Sequence, residues 1–210
     1  MRSDYSGFTI LELLVVLAIF VILLGALFVK MDESQEVSSI SRDESEMVQN
    51  LQDALALVNA EMKMAGFPPA SYYDWDYLRA PSTYRNLVAE GLLEAGPQSV
   101  QFQGDINGDG EVDYVHYYLS GPAPPYSLNR FGGKLNRADG SLPSGSPQKL
   151  SEQVESFQLR YFDRYGAETT VLQDIRQIEV RVTLRSRQVD PLTHVFRSAS
   201  RSVRICPLNL

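Results

Sequence analysis

The first thirty residues contain a long apolar run. Between Leu13 and Val29 the sequence LLVVLAIFVILLGALFV carries no charge, and Phe8 to Leu11 extend the apolar segment beyond a single acid, Glu12. At about 1.5 Å per helical residue, this segment reaches bilayer thickness. It is too long for the core of a cleaved secretory signal, and Lys30 to Asp32 follow it where a small-x-small cleavage site is required. The pattern therefore predicts a membrane-spanning helix.

Beyond the membrane segment, apolar residues recur at steps of three and four, and Glu44 interrupts them once. They are Val37, Ile40, Met47, Leu51, Leu55, Val58, Met62 and Ala65. The neighbouring acids mostly fall on other faces, no proline precedes Pro68, and Gly66 suits a C-cap. We therefore expect one helix from about Phe8 to Ala65. Its transmembrane half spans residues 8–30, and an amphipathic half, residues 31–66, packs on a sheet.

The rest of the chain, residues 67–210, has the alternation of a β-rich globular head. Between Ile178 and Leu184 every second residue is apolar and the others are polar, which is typical of a sheet with one wet face. Strands are expected at Ser99–Gln103, Val112–Leu119, Val154–Asp163, Ile175–Ser186 and Phe196–Ile205. A short helix is expected at Tyr84–Leu93, and a long loop with one short strand at Gly121–Gln148. The predicted fold is α+β, a long N-terminal helix packed on an antiparallel sheet.

Glu12 is the unusual residue of the apolar segment. A carboxylate at membrane depth is costly, so it indicates a function that needs a cation partner, one that becomes available only on assembly. The alternative is an interfacial glutamate that marks where the helix leaves the bilayer. The residue pattern alone leaves both open.

The residues Gly7-Phe8-Thr9-Ile10-Leu11-Glu12, followed directly by the apolar helix, resemble the GFTLxE signature of type IV prepilins. That family comprises pilus subunits, pseudopilins of type II secretion and competence pilins. The resemblance implies that a prepilin peptidase cuts between Gly7 and Phe8, removes the leader of residues 1–7 and methylates the amine of Phe8. It also implies that Glu12, then the fifth residue, pairs with the N-terminal amine of a neighbouring subunit, which supplies the missing cation. The leader departs slightly from type, because Arg2 is its only base and Asp4 partly offsets it.

Three further segments are similar to PilW-like minor pilins and to the related J-class minor pseudopilins. They are Glu61–Phe67, the Asp105 loop with Val115–Leu119, and Ser156–Asp163. This narrower resemblance implies a minor pilin that acts in assembly initiation or in a tip complex. A minor pseudopilin of type II secretion and an adhesin or DNA-capturing competence pilin are the alternatives. The implied partners are other pilin subunits, the inner-membrane assembly platform and membrane lipid. The implied location is the inner membrane, as a single-pass protein with a periplasmic head, and then an extracellular filament.

The segment from Asp105 to Asp113 places side-chain oxygens at every second position, with glycine at the bend. It matches the first nine positions of an EF-hand-type loop, with Asp105, Asn107 and Asp109 as ligands, a carbonyl from Glu111, and Asp113 directly or through water. His116 stands where the twelfth-position glutamate is needed, so weak calcium binding is expected. The alternative is a solvated hairpin turn whose glycines supply positive φ.

Charge is unevenly distributed along a chain whose net charge is -7. Acids crowd the stretch Asp32 to Glu61, whereas arginines populate the C-terminal third, at Arg160, Arg164, Arg176, Arg181, Arg185, Arg187, Arg197, Arg201 and Arg204. Solvated strand faces with cross-strand ion pairs explain this, and a docking surface for an acidic neighbour or for DNA is the sharper alternative. The acidic total provides no basic field to hold DNA and so argues against it as a partner.

No candidate for catalysis stands out in the sequence. The two histidines, His116 and His194, have no cysteine or carboxylate at metal-ligand spacing, and neither a nucleophile elbow nor a phosphate-binding glycine loop occurs. Cys206 is the single cysteine, so no intrachain disulfide can form, and a half-buried structural thiol is expected there. These features predict a structural protein rather than an enzyme.

Overall fold

A computed structural model of the chain describes residues 9–68, 88–136, 140–190 and 193–210. One long helix, α1, spans Ile10–Lys63 and is followed by seven strands. The strands are β1 (Leu92–Ala95), β2 (Ser99–Gly104), β3 (Asp113–Ser120), β4 (Tyr126–Lys134), β5 (Gln148–Phe162), β6 (Gln177–Val189) and β7 (Phe196–Ile205). The predicted α+β fold, with an N-terminal helix and an antiparallel sheet, is confirmed.

The chain divides into two compact units, Met1–Asp43 and Glu44–Leu210. The first unit holds the N-terminal part of α1, in which every apolar side chain from Leu13 to Val29 is exposed. The second unit holds the remainder of α1 together with the whole sheet. The boundary lies inside the helix, where the apolar segment has already given way to a polar one.

The strands form a meander, in which each strand pairs antiparallel with the next along the chain. The predicted hairpins of β2 with β3 and of β6 with β7 are both present. In β6, Ile178, Val180, Val182 and Leu184 are buried while Arg181 is exposed, as the alternation predicts.

In the second unit, one face of α1 covers one face of the sheet. The apolar stripe of the helix is buried from Met47 onwards and packs with residues from strands β2 to β7. Burial of a Leu, Met or Phe side chain stabilises the fold by about 1.5–3 kcal/mol. Glu44, which interrupts the stripe, is exposed and forms an ion pair with Arg197 at 2.9 Å.

The helix ends close to the predicted residue. Helical hydrogen bonding gives way to a tighter turn, in which the Met64 and Ala65 N–H groups donate to the carbonyls of Glu61 and Met62. Gly66 follows with φ of 77°, the left-handed conformation expected of a C-cap glycine. A Cβ on Gly66 would lie 2.6 Å from the carbonyl oxygen of Asn209, so the C-terminal tail also requires glycine here.

Three sequence expectations need correction. The predicted helix at Tyr84–Leu93 is wrong where it can be compared, because its last two residues begin β1; residues 69–87 lie outside the described part. The region expected to be mostly loop contains a nine-residue strand, β4. Its Gly132 lets β3 approach, since a Cβ there would lie 2.6 Å from the Tyr114 carbonyl oxygen. Cys206 is exposed rather than half-buried.

Candidate functional site

The start of α1 is held by reciprocal hydrogen bonds between Thr9 and Glu12. The backbone N–H and the hydroxyl of Thr9 donate to Glu12 Oε2 at 3.0 and 3.1 Å, and the Glu12 N–H donates to Thr9 Oγ1 at 3.2 Å. This is a capping box, with Thr9 as N-cap and Glu12 three residues later. The T-x-x-E spacing was visible in the sequence, but its capping role was not inferred from it. Glu12 therefore provides an acceptor, within its own chain, for the Thr9 N–H group, which has no partner inside the helix.

Gly7 and Phe8 lie outside the described residues, so the proposed cleavage bond and methylation remain predictions. The segment that follows them is described. Helix α1 contains a stretch long and apolar enough to cross a membrane, and none of that stretch is buried inside the protein. Exposed apolar surface of this extent is unfavourable in water and favourable in lipid. These features are consistent with anchoring in a membrane.

The Asp105 loop connects β2 to β3, and its own backbone occupies several of the oxygens that were predicted to bind calcium. Asp105 Oδ1 accepts hydrogen bonds from the N–H groups of Gly108 and Asp109, and its Oδ2 accepts one from Gly110. Asn107 Oδ1 and Asp109 Oδ1 accept from residues two positions later. These bonds stabilise the turn without an added ion.

A lysine from β4 supplies positive charge to the same loop. Lys134 Nζ lies 2.6 Å from Asp109 Oδ2 and 2.9 Å from Glu111 Oε2. The hydrogen bond from Lys134 is the main cause of a lowered pKa at Asp109. Burial raises the pKa of Asp113, against a hydrogen bond from the Ile106 N–H and with the added repulsion of Asp109 and Asp105. The amine thus offsets part of the mutual repulsion among these carboxylates.

His116, at the twelfth position of the EF-hand pattern, lies in β3 opposite Gln101 of β2. Its Nε2 is 2.9 Å from the Ser99 hydroxyl, and burial lowers its pKa. Among the residues that the structure describes, no three His, Cys, Asp or Glu side chains are grouped so that they could hold a metal ion. Calcium binding at Asp105, Asn107, Asp109, Glu111 and Asp113 remains a prediction.

A charged cluster that the sequence did not reveal links α1 to the sheet. Glu61 is buried, accepts a hydrogen bond from the Tyr117 hydroxyl, and pairs with Arg130 through Nε at 3.0 and 2.8 Å and through a terminal nitrogen at 2.8 Å. Burial raises the pKa of Tyr117, so the phenol stays protonated and donates. Burial lowers the pKa of Arg130, but the hydrogen bond and charge of Glu61 outweigh it and leave that pKa raised.

The position of Glu61 could have been anticipated. It lies three residues after Val58, which belongs to the buried stripe, so it occupies the edge of the face turned to the sheet. A charge there requires a partner, and the partners come from β3 and β4. Because β4 was expected to be mostly loop, Arg130 was not recognised as that partner.

The comparisons with known proteins agree with the N-terminal observations. A family model described as the prokaryotic N-terminal methylation motif matches residues 2–28, which include the predicted cleavage bond, the capping box and most of the apolar segment. No match was found among curated proteins. The methylation motif and the apolar helix behind it identify the N-terminal segment as that of a type IV pilin-like prepilin.

Proposed function

We propose that the protein is a minor pilin, a structural subunit of a type IV pilus or pilus-like filament that acts in assembly initiation or in the tip complex. One observation carries the proposal. The methylation motif of residues 2–28 is continuous with an uncharged spanning segment, and the same helix enters a β-rich head. The helix can hold such a chain in a membrane, and the head is then available to contact other subunits.

Processing follows from this proposal. A prepilin peptidase removes the leader of residues 1–7 by cutting between Gly7 and Phe8, and it methylates the new amine on Phe8. The inner-membrane assembly platform then moves the subunit from the bilayer into a filament with other pilin subunits. The head is periplasmic before assembly and extracellular afterwards.

The minor role is supported by where the segments similar to PilW-like proteins lie. Glu61 at the end of α1 accepts a hydrogen bond from Tyr117 in β3, and Tyr117 shares its core cluster with Phe157 in β5. Residues from the second and third segments therefore belong to the core that α1 shares with the sheet, and the first segment is hydrogen-bonded to the second. A minor pseudopilin of type II secretion is supported equally by this arrangement, because the J-class resemblance rests on the same segments.

The test is maturation of a Gly7→Ala variant in the native host. In a prepilin, the position before the scissile bond takes glycine, which has no side chain, so we expect the added methyl group to leave most of the variant with its leader and missing from sheared filaments. Mass spectrometry of the mature N-terminus and immunoblotting of the sheared fraction measure the two effects. If the wild-type chain keeps residues 1–7 in the host, it is not processed as a prepilin.

Deletion of the gene separates the two filament systems. Loss of surface pili with normal export of secreted enzymes supports the pilus subunit. Normal piliation with loss of export supports the pseudopilin instead.

A further inference from the structure

The outer face of strands β5 to β7, opposite the face that packs on α1, collects arginine and small hydroxyl side chains. Arg160, Glu179 and Arg204 lie directly opposite one another across the three strands, and Arg181 follows opposite Ser202. The rows between them turn inward, since Leu159, Val180 and Val182 are buried. We call this surface the arginine face, and it comprises Arg160, Arg181, Thr183, Ser200, Ser202 and Arg204.

Positive charge outweighs negative charge in this cluster. The Arg160, Arg181 and Arg204 side chains are 55%, 54% and 59% exposed, whereas the Glu179 side chain between them is only 15% exposed. Glu179 is shared by all three, at 3.9, 3.7 and 3.6 Å. Among the described residues, only Arg160 has a second carboxylate, Glu168, at 2.9 Å. Three guanidinium groups thus contact two carboxylates, which leaves the exposed surface able to accept an anion.

The arginine face is also partly preorganised. The guanidinium groups of Arg160 and Arg204 lie 5.2 and 5.1 Å from the centre of the Phe162 ring, on which both rest. The Thr183 hydroxyl donates to the Ser200 hydroxyl at 3.1 Å. Because these side chains are short, they leave room for a partner beside the arginines. Side chains that are already held lose less conformational entropy when a partner binds.

We propose that the arginine face binds an acidic helix of an adjoining filament subunit. This inference rests on the proposed function, which supplies the neighbour. The chain itself displays the required chemistry, because residues 32–53 of α1 carry seven acids and one base, Arg42, and two of these acids, Glu44 and Glu46, already pair with arginines of their own head. Acidic side chains three or four residues apart lie on the same side of a helix and can meet neighbouring arginines.

Electrostatics favour an acidic helix over nucleic acid. The chain has a net charge of -7, so the long-range field opposes a polyanion the size of a DNA duplex. A short acidic helix carries far fewer charges than a DNA duplex, so this long-range repulsion is smaller for it. Complementary charge of this kind sets the orientation and the rate of association of two subunits.

The test is a binding measurement with the full chain in detergent micelles. A fluorescent synthetic peptide of residues 32–53 serves as the acidic helix, and a peptide of the same length with its acids replaced by Gln and Asn is the matched probe. We expect the acidic peptide to bind at low salt and the neutral one not to bind. In Arg181→Gln/Arg204→Gln, affinity for the acidic peptide falls about tenfold, equivalent to about 1.4 kcal/mol.

The matched control is Arg164→Gln/Arg201→Gln, which removes the same charge elsewhere. Arg164 lies in the turn after β5, and Arg201 is opposite the buried Val182, on the other side of β7. We expect this control to bind like the wild type. Equal weakening in both double variants, or equal binding of both peptides, would overturn the proposal. Tighter binding of a DNA duplex through Arg181 and Arg204 would also overturn it, in favour of nucleic acid.

Processing in the host separates this proposal from the function on which it rests. Arg181→Gln/Arg204→Gln should still be cleaved between Gly7 and Phe8, while less of it enters filaments. If the wild type is not cleaved, the prepilin function fails regardless of peptide binding. If cleavage is normal and the double variant enters filaments as the wild type does, the arginine face has no role in assembly.

Discussion

Glu12 takes part in two kinds of interaction that the sequence could not separate. Within its own chain, it caps the first turn of α1 through Thr9, which satisfies the carboxylate with local donors. In the proposed assembly, the same carboxylate pairs with the amine of a neighbouring subunit. The capping box explains how a carboxylate can remain at membrane depth before that amine arrives, because Oε2 accepts two hydrogen bonds from Thr9.

Substitutions at Glu12 and Thr9 distinguish capping from charge pairing. Glu12→Gln keeps an acceptor for Thr9 but has no charge, whereas Thr9→Val keeps the charge and removes the hydroxyl. If pairing with an amine drives assembly, Glu12→Gln and Glu12→Ala are cleaved normally but are depleted in sheared filaments, and Thr9→Val is affected much less. The measurement is the ratio of filament to membrane protein by immunoblotting. Normal incorporation of Glu12→Gln would mean that Glu12 acts only as a cap.

Glu61 shows why a buried charge must be considered with its partners. Removing one member of a buried ion pair leaves the other uncompensated, which costs more than the pair itself contributes. The Glu61 side chain is 8% exposed and that of Arg130 is 19% exposed, so little water is available to replace either partner.

We expect Glu61→Gln to lower the free energy of unfolding by about 3 kcal/mol, because Arg130 loses its counter-charge and Tyr117 its charged acceptor. Urea denaturation followed by tyrosine fluorescence measures the change. The matched control is Glu168→Gln, whose pair with Arg160 is half-exposed on both sides and should cost less than about 1 kcal/mol. Equal effects of the two substitutions would show that the cluster does not hold α1 on the sheet.

At the scale of elements, strong periodicity was reliable and weak periodicity was not. The stripe of α1 and the alternation of β6 predicted those elements closely, since each of these elements has one buried face and one solvent-accessible face. By contrast, β1 forms because Gly96 and Pro97 turn it back onto β2, and β4 forms because Gly132 lets β3 approach. Both strands depend on neighbours that local sequence does not specify.

The Asp105 loop yields a prediction at this scale. Calcium would have to displace the Lys134 amine from Asp109 and Glu111, so we expect little thermal stabilisation of the wild type at millimolar calcium. In Lys134→Met the carboxylates repel one another without compensation, and calcium should stabilise this variant by about 1.4 kcal/mol at ten times its dissociation constant. Thermal melting with calcium and with magnesium measures the response.

The control for the calcium prediction is Lys134→Met combined with Asp105→Asn, which should lose the response. No shift in Lys134→Met at millimolar calcium would leave the loop as a plain hairpin turn.

At the scale of the whole molecule, the second unit contains the entire buried core and the sheet. A chain that begins at Met31 should therefore fold without the membrane segment. It keeps the net charge of -7, because Arg2 and Lys30 offset Asp4 and Glu12 in the part removed. We expect a soluble protein with a cooperative thermal transition and a β-rich circular dichroism spectrum, compared with the full chain in detergent. Aggregation with no cooperative transition would show that residues 1–30 are needed for folding.

The sequence by itself determined the N-terminal identity, since a short motif and an uncharged segment act locally and need no tertiary partner. It also determined the helix face that packs and the wet face of β6, because both follow from the period of the backbone. Only the tertiary structure decided that Lys134 reaches the Asp105 loop, that Glu61 meets Arg130, and that Arg160, Arg181 and Arg204 converge on Glu179. These contacts join residues far apart in the chain, and strand register decides them.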